Sequence, residues 1–78
     1  ADRTFYMEEF EVDTETCPHI GESLREARLR SRSGALVLAI RRTNGQLISG
    51  PTADSLLLPG DHLICMGTAE QIQRLNQI

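Results

Sequence analysis

Lysine and tryptophan are absent from this 78-residue chain, cysteine occurs twice, and three residues are aromatic. Each shortage excludes something. Cys17 and Cys65 allow one bridge at most, so a disulfide scaffold is out, and two thiols in an ordinary composition fit a reducing compartment. Phe5, Tyr6 and Phe10 all fall in an acidic segment, which leaves no aromatic platform for bases beside positive charge and argues against nucleic-acid binding. The longest apolar run, Ala35 to Ile40, is six residues, far short of a membrane span, so no direct membrane insertion by this segment is expected. No secretory signal pattern is present. The expectation is a single domain, residues 1–78, from a longer chain. A domain of this size buries only ~60–65% of the surface its unfolded chain exposes, and folds this small usually need a disulfide, a metal or a partner.

What is present is sharply segregated charge. The net charge of -3 conceals seven acids against Arg3 in residues 1–22, and six arginines against Glu26 in residues 25–42. Arginine offers a planar donor fork suited to carboxylates and phosphates. Two readings stay open: the acidic strand pairs with the arginines within or between chains, or the arginines form an anion site.

Apolar spacing organises the rest. TFYMEEFEV, residues 4–12, reads as a strand with Phe10 and Val12 on one face and Glu9 and Glu11 on the other. Ile20, Leu24 and Ala27 fall on one helical face. Glu22–Arg25 and Glu26–Arg30 are spaced for helical pairing, and Ser31 to Gly34 end the helix. ALVLAIRR reads as a central strand covered on both sides. Asn44-Gly45 predicts a type I′ hairpin, with Gln46 to Ser49 returning and Pro51 stopping the strand. In "LLLPGDHLICMG" the turn Pro59-Gly60-Asp61 fits type II, with Gly60 supplying positive φ. Leu63 and Cys65 then oppose Ile64 and Met66. Thr68 and Gln71 form a capping box for a last helix whose inner face is Ile72, Leu75 and Ile78. Two strands apolar on both faces, with two short helices to cover them, predict that a partner buries some of Leu56–Leu58.

Catalytic and metal signals are weak. His62 and Cys65, three apart on a strand, point to opposite faces and cannot chelate zinc together; no metal site is expected. No nucleophile elbow, Gly-rich phosphate loop or paired-carboxylate motif occurs. Glu8 and Glu9 are adjacent on a strand and diverge. The chain reads as no enzyme.

The ordered set "CPHIGESLREARLR", "GALVLAIRR" and "NGQLISGPTADSLLLPGDHLICMGTAEQIQRL" resembles the TrkA C-terminal domain, the C-terminal half of the regulator-of-potassium-conductance module. The match runs from Ile20-Gly21, Leu24 and Leu29-Arg30 through Gly34, Ala39-Ile40, Pro51 and Asp54 to Gly60-Asp61, Leu63 and Gly67. The resemblance implies an α+β fold, a small mixed sheet with two short helices, and a homodimer. It implies a non-catalytic regulatory module of a potassium channel or potassium transport system at the cytoplasmic face of the cell membrane, alongside the rest of the channel or transporter chain. Some members bind cyclic di-AMP across the dimer interface and others bind divalent cations. Leu24, Leu29 and Arg30 match the ligand-binding pattern. Arg25 and Arg28 depart from it, standing where an apolar and an acidic residue are expected. A structural dimerisation module without a ligand is the alternative function, and a nucleic-acid-binding domain a poorer third.

Overall fold

The computed structural model describes residues 4–78. The chain forms β1 (Tyr6–Glu11), α1 (Leu24–Ala27), α2 (Leu29–Ser33), β2 (Leu36–Arg41), β3 (Leu47–Ser49), β4 (His62–Gly67) and α3 (Ala69–Asn76). The four strands make one sheet in the order β1-β4-β2-β3, so the two most apolar strands lie at its centre. The α+β class is as expected. The mixed sheet is not: all three pairings are antiparallel, because β2 turns directly into β3 and no helical crossover returns a neighbour in the same direction.

Register separates the two faces. Ile40 lies opposite Leu63, and Val37 opposite Cys65. These residues face a core that also holds Val12, Ala27, Leu29, Ala35, Leu57 and Leu75. Burial pushes the Cys65 thiol up to about 12, so it remains a protonated core group at neutral pH. On the opposite face Leu36 lies opposite Met66, and Ala39 opposite Ile64; these side chains are half-buried, with Leu36 at the margin of exposure. Met7 and Leu47 on the same face are exposed. A bulge between Val37 and Ala39 resets the alternation, so the side chains of β2 do not alternate strictly along its length.

The first expected helix is divided. Ser23 caps α1 in a capping box with Glu26, which draws Glu26 away from Arg30. Its carboxyl lies below its ordinary value of 4.5, held there first by the Ser23 backbone N–H and then by the Ser23 hydroxyl. That contribution is full above 4.5 and is lost as pH falls through the lowered value. Glu22 precedes the helix and meets His19 instead, Oε1 to Nδ1 at 3.0 Å, so neither expected helical pair forms. At Arg28 the backbone turns left-handed, φ 56, and α2 begins.

Arg28 is the one non-glycine residue with positive φ among the described residues. An L-residue there costs ~1–2 kcal/mol, whereas glycine adds ~0.5–1 kcal/mol of backbone entropy. Arg28→Gly is therefore expected to hold or raise stability, by no more than about 1 kcal/mol. A thermal melt checks it; a clear fall in melting temperature contradicts the strain.

The hairpin after β2 also differs. Gly45 is left-handed at φ 89, but Asn44 is not. Gly45 N–H donates to Arg42 O at 3.1 Å, and Arg42 N–H to Gln46 O at 2.8 Å. This is a three-residue connection with glycine at the left-handed position rather than type I′. The Pro59-Gly60-Asp61 turn is as expected: Asp61 N–H donates to Leu58 O at 3.1 Å, and Gly60 has φ 80. The α3 capping box forms between Thr68 and Gln71, and Ile72 and Leu75 are buried.

Candidate ligand cleft

A cleft of about 540 Å³ opens between the helical break and the segment after β3. Leu24 and Arg25 enter it from α1, Arg28 from the break, and Leu29, Arg30 and Ser31 from α2. Leu36 and Val37 of β2 form a second side, and Pro51, Thr52 and Ala53 a third. The three residues expected from sequence, Leu24, Leu29 and Arg30, are thus brought together at one cavity. Leu29 is buried, Leu24 half-buried and Arg30 exposed.

Hydrogen bonds hold the walls together. Leu24 N–H donates to Ser55 O at 2.9 Å, and Arg25 N–H to Ala53 O at 2.9 Å. Ser23 and Leu56 form an isolated antiparallel bridge. The first N–H groups of α1, unsatisfied within a helix, are thus taken by the neighbouring loop. The charged groups that line the cleft are the guanidinium groups of Arg25, Arg28 and Arg30.

Those groups are only partly compensated. Arg25 reaches Asp54 at 3.6 Å, but the side chains are 69% and 81% exposed, so the pair contributes ~0–1 kcal/mol. Arg41 meets Glu9 at 2.7 Å, which is the expected pairing of the acidic strand with the arginines. Arg42 bonds the buried Asp61 carboxylate. Arg28, Arg30 and Arg32 have no carboxylate partner among the described residues. Of the six arginines between residues 25 and 42, three pair with carboxylates and two of the others, Arg28 and Arg30, line the cleft.

Pro59, Gly60 and Asp61 lie outside the cleft and act structurally. His62 contacts Glu9, Nδ1 to Oε1 at 3.3 Å, on the face opposite Cys65. No group of three His, Cys, Asp or Glu among the described residues is arranged to hold a metal ion. No helix among them is long and apolar enough to cross a membrane. The Pro51–Ala53 wall and the Leu36–Val37 side were not foreseen, since strand and loop periodicity says nothing about which helix they will face.

The fold is a small α+β domain with a cleft lined by leucines and arginines, and comparison with known proteins fixes its family. The TrkA-C domain model matches residues 7–78, and the chain belongs to that family. It is 35% identical over 57 residues to "Probable potassium channel protein 2" of Methanocaldococcus jannaschii, a match covering 73% of this chain and 16% of that protein. The RCK_C domain dimer of S. agalactiae BusR in complex with c-di-AMP superposes with a TM-score of 0.80 at 27% identity, over 91% of this chain and 85% of that one. BusR in complex with its busAB-promotor DNA matches equally well, over 34% of that chain. The RCK C domain of the potassium transport protein KtrA, in complex with c-di-AMP, shares the fold at a TM-score of 0.81 and 23% identity, over 94% of this chain and 81% of that one.

Proposed function

We propose that this chain is a regulatory and dimerisation domain of a potassium channel or potassium transport system, non-catalytic and placed at the cytoplasmic face of the membrane. On this reading a small anionic ligand in the cleft changes the geometry of a homodimer, and the change gates transport. The observation that carries the reading is the cleft itself: apolar Leu24 and Leu29 beside the guanidinium of Arg30, which has no carboxylate partner among the described residues. Flat apolar surface and one positive charge suit a base and a phosphate. In a two-fold dimer an arginine near the axis meets its own copy, and a two-fold symmetric dianion between the two relieves their repulsion. Cyclic di-AMP, bound by the BusR domain, has that symmetry. It can gate only if it binds one dimer geometry more tightly than the other.

The half-exposed sheet face, with Met7, Leu36 and Leu47, and the exposed Leu56 and Leu58 support association. Leu57 is already buried within the chain, so only its two neighbours await a partner. An interface of ~1,200–2,000 Å² is expected. Light scattering at micromolar concentration should give twice the monomer mass; a monomer contradicts the dimer. Calorimetric titration with cyclic di-AMP should give heat that Arg30→Ala abolishes. No heat, with a dimer intact, favours the ligand-free dimerisation module. The DNA complex of BusR involves a longer chain, and binding of promoter-length duplex by this chain, suppressed by salt, would instead favour the nucleic-acid reading.

A further inference from the structure

Arg28 is an unusual residue for its backbone. A left-handed position accepts glycine, asparagine or aspartate with least strain. Arg28 adopts it without any side-chain capping bond, while the Ser31 hydroxyl donates to Arg28 O at 3.2 Å and pins the break. Nothing in the local backbone calls for a guanidinium. That side chain lines the cleft together with Arg30, two positions on, and among the described residues no carboxylate lines the cleft with them. Arg25, the third arginine there, has Asp54 beside it. Among the described residues, each cleft therefore carries two positive charges without a compensating acid.

Resting on the reading that the cleft binds a ligand, we infer that Arg28 and Arg30 form a two-guanidinium clamp selecting a polyphosphate-bearing nucleotide, such as a dinucleoside polyphosphate, over a cyclic phosphodiester. A cyclic dinucleotide shared across a two-fold offers each protomer one phosphodiester, hence one negative charge for two guanidiniums. The remaining charge stays unmatched within the cleft, and like charges there repel. A linear dinucleoside tetraphosphate has adenine faces for the apolar walls and enough linked phosphates to meet both arginines of each protomer. Its charge matches the cleft where a dianion leaves half of it uncompensated, and charge-assisted contacts from arginine to phosphate are the stronger kind of hydrogen bond.

The test is calorimetric titration of the chain with diadenosine tetraphosphate and, separately, cyclic di-AMP, using native protein and Arg28→Asn. Asparagine tolerates the left-handed backbone, so the melting temperature should not fall. The native chain should bind the tetraphosphate at least about tenfold more tightly, with the advantage shrinking at raised salt. Arg28→Asn should lose about tenfold for the tetraphosphate and less than about threefold for cyclic di-AMP. If Arg28→Asn fails to fold, Arg28→Gly supplies the same two ratios. Equal or tighter binding of cyclic di-AMP by the native chain overturns the inference and leaves the ligand reading intact. An equal loss for both ligands in the variant also overturns it, because Arg28 would then not select by charge. Binding of neither ligand removes both proposals.

Discussion

Asp61→Ala is expected to cost about 3–5 kcal/mol, the loss found when one partner of a buried ion pair is removed. Asp61 is only 1% exposed, and its Oδ2 carries two bonds. It accepts the Leu58 N–H at 2.8 Å and bonds Arg42 Nη1. The same Arg42 nitrogen donates to Leu56 O at 2.9 Å, so one side-chain pair fastens the Leu56–Asp61 segment to the end of β2. The Asp61 carbonyl also accepts the Val12 N–H at 2.7 Å, tying the segment to the chain after β1. Removing the carboxylate leaves a guanidinium that is 14% exposed with one carbonyl for company. Native stability runs at ~0.05–0.15 kcal/mol per residue, so a domain this short loses a large share of what it has. Urea titration should show the midpoint collapse. Asp61→Leu combined with Arg42→Met should recover much of the loss, since the stranded charge is then gone. An Asp61→Ala midpoint within about 0.5 kcal/mol of native would mean that Arg42 is well solvated after all.

The sequence was most readable where one residue type answers one backbone demand. Pro59-Gly60 marked a type II turn, and Thr68 with Gln71 marked a capping box. Both formed, because each depends on neighbours in the chain alone. The segregation of acids and arginines announced pairing but not partners. Glu9–Arg41 and Asp61–Arg42 are chosen by strand register and turn position, which charge spacing does not encode. The break at Arg28 had no signal, because arginine is a good helix former and nothing in LREARLR marks a left-handed residue. The bulge in β2 was hidden for a related reason: a strand apolar on both faces gives no alternation against which a slip can be seen. Leu24, Leu29 and Arg30 were placed by family resemblance, and the structure puts them on one cavity. The Pro51–Ala53 wall came only from the structure, since it reaches the cleft through the Arg25 N–H to Ala53 O bond.

Gly60→Val is expected to destabilise by about 2–6 kcal/mol, from two separable causes. At φ 80 a β-branched residue is strained by ~1–3 kcal/mol. A Cβ there would also stand 2.6 Å from Thr43 Cγ2, and forced overpacking adds ~1–3 kcal/mol. The backbone has little freedom to yield, because Gly60 N–H donates to Val12 O at 2.9 Å while the adjoining Asp61 is bonded on both sides. Thr43 belongs to the β2–β3 connection, so a shift there would disturb the hairpin and the Arg42 contacts beside it. Thr43→Ser removes the opposing methyl. Gly60→Val in that background should regain the steric part and keep the backbone part, leaving a deficit of ~1–3 kcal/mol. Asp54→Ala is the control: its exposed pair with Arg25 should change stability by less than about 1 kcal/mol. Thermal melts of the four variants separate the terms. If Gly60→Val melts like native protein, the turn has adopted another geometry, and with it the anchoring of Asp61 would have to be different.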